Sequence, residues 1–472
     1  MIIWNRLLEV YKNICVQSVC LISFGVYFLW VFVNAELRFD QFSFLRILLV
    51  ATIFFILFIS MLAFFHRQVF KEKLSINFQN ILASIPVIII LVIFTNSVMN
   101  FWMSPEVAYD PFFPLHNADM GMYWKIDTAY HCSLIQSILN FGYPSIAENN
   151  TPISIYHVLS HYVDAIIVLI TGVEVYDSYG LFFCFKVCLY FSSFLFFVLS
   201  LCKKNNYIAF IVSILLLMLL FTDSWGNAVG SEGLWFTSIL IILSFRVVIN
   251  SVIYSNYNFK NFLFITLFII FVSIGKISTG FMYASFVGLL LLFRFPKNKY
   301  VYITGIIWLV FFYVFQTAMT HGVYAIIDNI NFYMNFFTSS SVSSVSSVSS
   351  VSSVSSVSSV SSVSLFGNSF ISYFIHPSQR LIEACILLLV VFIQNVLFTK
   401  SKNIIVFLAV FLTLPIMVII FVVFPSMEFP DRMYFEIGFN SIISMLIVYT
   451  LITQYNINKT GKFITFISIL VF

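Results

Sequence analysis

The sequence predicts an all-α fold, a polytopic membrane bundle of about 12–13 transmembrane helices. Composition is the first reason. Of 472 residues, 61% are hydrophobic, 19% aromatic and only 9% charged. The mean hydropathy of +1.01 lies far from soluble domains, where roughly half of the residues are apolar. The second reason is the many apolar runs of about 18 residues or more, any one of which suffices for a membrane span. The third is the placement of Lys and Arg, which recur in alternate connections between those runs. The net charge of +4 gives no indication of a nucleic-acid partner. In a membrane chain the position of each cation matters more than the sum.

Apolar runs between polar punctuation place spans near 14–34, 45–65, 81–100, 179–201, 207–222, 233–250, 261–274, 280–294, 300–318, 381–398, 404–424 and 433–453, with a last one starting near 463. No cleavable signal peptide is evident, and the first run is long enough to remain as an anchor. The final run, FITFISILVF, is too short to cross the hydrocarbon as a helix, so a partial span or a truncated chain is expected there. Four regions follow: an N-terminal transmembrane hairpin over 1–80, a core over 81–318, a loop over 319–380 and C-terminal helices over 381–472.

The positive-inside rule sets sidedness. With the N-terminus (Arg6, Lys12) in the cytoplasm, the inner connections carry HRQVFKEK at 66–73, KK at 203–204, FPKNK at 295–299, TKSK at 399–402 and NKTGK at 458–462. This works only if ISIYHVLSHYVDAIIVLITGV, 153–173, does not cross. That segment holds His157, His161 and Asp164, and an Asp at bilayer depth costs roughly 2.5–3.5 kcal/mol on insertion scales. It reads as an amphipathic helix on the outer membrane surface. The expected location is the cell membrane, multi-pass, with one large extracytoplasmic loop over 101–178.

Residues 339–364 repeat Ser-Ser-Val with a strict period of three. That period matches neither helix nor strand, so no element can present one apolar face. A flexible, solvated linker in the second outer loop is expected. A repeat expansion in an insertion-tolerant loop is the plainer reading, and a mobile flap over a site the sharper one.

Seven cysteines are present, none in a Cys-x-x-Cys pair, which argues against a disulfide framework or a zinc site. The chemistry concentrates in the first outer loop. WKIDTAYHCSLIQSILNFGYPS, 124–145, gathers Lys125, Asp127 and His131 ahead of a helical apolar pattern closed by Gly142 and Pro144. Asp127 and His131 are four apart and share a helix face. His157 and His161 are four apart as well, and Asp164 follows three later, giving a second polar face. A carboxylate on such a face can act as general base towards a hydroxyl, and imidazoles can hold a phosphate or a metal. The plainer reading is that interfacial helices need polar faces. His-x-x-x-His alone is a weak metal signal.

Taken together, a span, an outer-loop Asp opening a helix, a Gly-x-Pro turn, an aromatic–His helix ending in LITGV and a further span resemble the first extracytoplasmic loop of GT-C glycosyltransferases. These are polyprenyl-phosphate-sugar-dependent membrane enzymes, among them the protein O-mannosyltransferases and the lipid A aminoarabinose transferase. The resemblance implies a GT-C-like bundle and makes Asp127, an acidic residue of this loop, the catalytic base or a metal-binding group, with His131 beside it. GKISTG, 275–280, is similar to the family's Lys-Gly-Pro stretch, and PDRMYF, 430–435, places an Arg at the outer end of a late span. Lys276 and Arg432, with Arg380 as a third cation, are thereby implied to grip a lipid phosphate, and His157 and His161 to bind substrate. A divalent metal ion is the one cofactor the resemblance leaves room for. The chain departs from the family in lacking the paired acids, since Thr128 follows Asp127, and in having two extra spans before the loop. Asp110 and Asp119 remain alternative acids. Asp223 and Glu232 read as an ordinary short outer loop.

The expected function is transfer of a sugar from a lipid-linked donor to a glycan, lipid or protein acceptor outside the cytoplasm, with membrane lipids as the other partners. An O-antigen-type polysaccharide polymerase is the first alternative, disfavoured by an outer loop rich in acid and His rather than Arg. A transporter or flippase of lipid-linked saccharide is the second, disfavoured by few midplane charges and no repeat symmetry.

Overall fold

The computed structural model describes residues 14–39, 42–66, 76–102, 123–144, 158–202, 206–220, 232–253, 257–321, 404–423 and 429–455, with four further positions between 386 and 392. The described residues form thirteen α-helices and no strand: α1 Val16–Arg38, α2 Phe44–Phe65, α3 Phe78–Trp102, α4 Tyr123–Phe141, α5 Val158–Thr171, α6 Val175–Leu201, α7 Tyr207–Leu220, α8 Glu232–Ile253, α9 Phe259–Gly275, α10 Ile277–Arg294, α11 Lys299–His321, α12 Ile404–Val423 and α13 Phe429–Tyr455. Each expected span from 14–34 to 300–318, and those at 404–424 and 433–453, coincides with one of them. Among the described residues six helices, α1, α2, α3, α6, α8 and α10, are long and apolar enough to cross a membrane. This is the architecture of a multi-pass membrane protein. The Ser/Val tract, the loop over 319–380 beyond residue 321 and the final run near 463 lie outside the described residues, as does most of the 381–398 span.

Helices prevail because a bilayer offers no hydrogen-bond partners, so each segment must satisfy its own backbone. Pro86 and Pro415 sit inside α3 and α12, as membrane helices tolerate. The ends follow local rules. Asn258 caps α9 by accepting from the Asn261 N–H at 3.0 Å, the usual role of an Asn at that position. Gly142 and Gly172 close α4 and α5 with φ of +79° and +63°, and each N–H bonds the carbonyl four residues back at 2.8 Å. Only glycine enters that left-handed region without cost, so the Gly142 stop expected from sequence is the one formed.

Helix α6 is the axis of the bundle. Its membrane-length stretch, Ser178–Leu201, is 94% buried, against 33–44% for those of α1, α2 and α3. The outer three present Leu, Ile and Phe outwards, among them Leu29, Phe55 and Ile93, as surfaces facing acyl chains do. Aromatic contacts fix the relative directions. Phe24 meets Phe196 at 5.4 Å and Phe28 meets Phe185 at 5.8 Å, so α1 and α6 are antiparallel. Phe54 of α2 lies 6.3 Å from Trp235 of α8, and farther along both helices the His66 ring donates to the Leu243 carbonyl. Those two helices run parallel.

Helices α9 and α10 form a sharp hairpin hinged on one residue, Lys276. At its base Asn298 donates to the Tyr257 carbonyl at 2.6 Å. Midway, the Trp308 indole on α11 reaches the Thr266 carbonyl at 3.4 Å while its ring faces Gly288. At the tip a Cβ on Gly280 would stand 2.5 Å from the Cα of Ser273. Backbones can approach so closely only because residue 280 lacks a side chain.

Candidate functional site

The helices bring four ionisable groups together towards the hairpin-tip end of the bundle. On α5, His161 and Asp164 lie one turn apart and both are fully buried. The Asp164 carboxylate accepts from Lys186 Nζ on α6 at 2.7 Å. The ammonium also lies 4.9 Å from the Tyr179 ring and 5.3 Å from the Trp235 ring, within range of cation–π attraction. His161 Nε2 and His131 Nδ1, on α5 and α4, are 2.9 Å apart. Such a contact needs one N–H and one lone pair, so at most one of the two facing nitrogens carries the shared proton. The two polar faces expected from sequence therefore meet each other.

The reading of 153–173 as an amphipathic helix on the outer membrane surface gains a direction in α5, whose polar side, over the described residues, points into the protein. Ile166, Leu169 and Ile170 are 53%, 77% and 59% exposed, whereas His161 and Asp164 are 0% exposed. Burying a carboxylate costs several kcal/mol unless a cation meets it, and Lys186 supplies that cation. Lys186 is the residue missed from sequence. Its signal was plain enough, a Lys inside the otherwise apolar stretch Ser178–Leu201, where an ionisable group is expensive and therefore informative.

Lys276 is 1% exposed, so it does not snorkel to a surface. Its extended backbone, φ −152° and ψ 107°, turns the hairpin against α8 and α5. A Cβ on Gly275 would collide with Thr237 Oγ1 and lie 3.7 Å from Leu159. The tip thus packs beside the helix turn that carries His161. Gly438 of α13 stands over Thr279, which sets the first turns of α13, with Arg432, beyond the same tip. Asp127 begins the turn of α4 that precedes His131, on the same face. His157, Arg380, Asp110 and Asp119 lie outside the described residues.

No group of three His, Cys, Asp or Glu is placed to hold a metal ion among the described residues. The two imidazoles bond each other, and the carboxylate beside them is held by an ammonium. That donor set suits proton sharing and charge stabilisation more than metal ligation. Compared with protein-family models, with curated proteins and with solved structures, the chain matches none of them.

Proposed function

We propose that the chain is an integral membrane glycosyltransferase, moving a sugar from a polyprenyl-phosphate-linked donor to a glycan, lipid or protein acceptor on the extracytoplasmic side. The observation that carries this reading is the His131–His161 contact, one helical turn from Asp127 and beside the Lys276 tip. It places an acid, an imidazole pair and a cation at one end of the bundle, the set a sugar transfer from a phosphate needs. Asp127 takes the acceptor proton as general base. Lys276, with Arg432 on the entering turns of α13, stabilises the charge that develops on the leaving phosphate, the electrostatic contribution that is usually the largest. The Asp164–Lys186 pair sits one turn from His161 and holds that ring in place as a positioning element.

The test compares surface-glycan composition by mass spectrometry in cells carrying the intact gene, a deletion or Asp127→Asn at matched membrane levels. Loss of one sugar in both altered strains is the expected result. Whole polymer chains shortened by the deletion would instead identify a polymerase. Wild-type glycans with Asp127→Asn, alongside a deletion phenotype, would remove Asp127 from the chemistry.

One observation favours a second reading, a proton-coupled transporter of lipid-linked saccharide. The Asp164–Lys186 pair lies eleven residues into α6, about 16 Å along the helix, and intramembrane ion pairs mark proton and substrate paths. In vesicles holding the purified protein, movement of labelled lipid-linked saccharide between leaflets, lost in the folded double variant Asp164→Asn, Lys186→Met, would establish it.

A further inference from the structure

The end of the bundle opposite the Lys276 tip carries a second charged site. Among the described residues it bears Lys260, Arg294, Lys297 and Lys299, all exposed. The described acids, Glu36, Asp127, Asp164, Glu174, Asp177, Glu232, Asp431 and Glu436, lie on helix stretches towards the tip. Inside this basic end lies Arg246 on α8, within the membrane-length stretch Leu234–Val252. Arg246 is only partly exposed and makes no salt bridge among the described residues, where the ion pair is Lys186–Asp164. A guanidinium cannot discharge itself, so an Arg in a span calls for an anion.

His66 supplies the second half. It is 6% exposed and follows α2, whose 22 residues rise about 33 Å, enough to cross the hydrocarbon. Its ring is therefore at headgroup depth. One nitrogen donates to the Leu243 carbonyl, while Nε2 is buried with no hydrogen-bond partner among the described residues. Leu243 and Arg246 are three apart on one face of α8, so the bond to Leu243 holds the imidazole next to the guanidinium. Burial first, and the Arg246 charge second, lower His66 to about 4. The ring is then neutral, Nδ1 carries its proton, and Nε2 is an acceptor that needs a hydroxyl.

We propose that Arg246 and His66 form a binding site for an anionic phospholipid headgroup that presents both a phosphate and a hydroxyl. The phosphate takes the guanidinium through charge-assisted hydrogen bonds, and the headgroup hydroxyl donates to His66 Nε2. Arg294, Lys297 and Lys299 draw the same leaflet electrostatically, as juxtamembrane basic residues do. The source is a lipid rather than free phosphate because His66 ends one helix of membrane length and Arg246 lies inside another, so both groups are met from the lipid phase.

The full chain, purified in neutral detergent, is offered phosphatidylglycerol, phosphatidylethanol (same charge, no headgroup hydroxyl), phosphatidylcholine or inorganic phosphate, and retained ligand is read by native mass spectrometry. Wild type is expected to hold phosphatidylglycerol most tightly, phosphatidylethanol less, and neither phosphatidylcholine nor inorganic phosphate. Arg246→Gln should weaken phosphatidylglycerol about tenfold or more, the loss expected for one charged hydrogen-bonded contact. His66→Leu should abolish the preference over phosphatidylethanol. The Lys297→Gln, Lys299→Gln double variant should retain the lipid. Should Arg246→Gln fail to fold, the wild-type lipid ranking and His66→Leu decide. Equal retention of phosphatidylglycerol and phosphatidylcholine overturns the proposal. So does unchanged retention in a folded Arg246→Gln, loss in the Lys297/Lys299 variant alone, or competition by inorganic phosphate.

Discussion

Lys186 and Asp164 set the energetics of the interior. Each ion alone is costly in a dry bundle, and the contact at 2.7 Å offsets that cost only while both charges are present. Lys186→Met leaves Asp164 buried without the ammonium facing it and should destabilise the fold by about 3–5 kcal/mol. Asp164→Asn combined with Lys186→Met should recover most of that loss, because two uncharged groups demand little of one another. Denaturation of the purified variants in detergent measures both. Equal losses in the single and double variants would show that the charges do not act as a pair. The Asp127–His131 spacing was legible because four residues bring two side chains to one helix face. Its partner His161 was legible only as part of another face. Nothing in the chain stated that the two faces meet, since that contact joins residues thirty positions apart.

The hairpin of α9 and α10 depends on side chains that are absent. At Gly280 a methyl group would collide with the Ser273 backbone, a contact that no rotamer change relieves. Gly280→Ala should therefore cost about 1–3 kcal/mol, the usual range for overpacking. Gly25 in α1 has open space around its Cβ position, and Gly25→Ala should stabilise by about 0.5–1 kcal/mol through helix propensity. Thermal unfolding of the two variants against wild type checks the contrast, and similar effects of both would remove the close approach as the cause. In sequence GKISTG marked this turn as a place of interest. That Lys276 would be buried at a hairpin tip against α5 and α8 depended on packing between helices distant along the chain.

Among the described residues the two ends of the molecule differ in charge. Lys260, Arg294, Lys297 and Lys299 share one end, and the described acids lie towards the other. If the basic end faces the cytoplasm, a cysteine placed at Lys297 reacts with an impermeant maleimide only after cells are opened, and one placed at Glu174 reacts in intact cells. The reverse pattern would invert the topology and move the proposed chemistry to the cytoplasm. The all-helical character, most helix boundaries among the described residues and the membrane class followed from local properties, namely apolar run length, capping residues and glycine stops, which act over a few residues and survive without tertiary context. Burial order did not. All the spans are greasy, and hydropathy alone does not separate α6, buried on nearly every side, from α3, which faces outwards over most of its length. The same holds for α5: its alternation of polar and apolar sides was readable, but which side meets protein was decided by Lys186, because a buried carboxylate is stable only where another helix brings a cation to it.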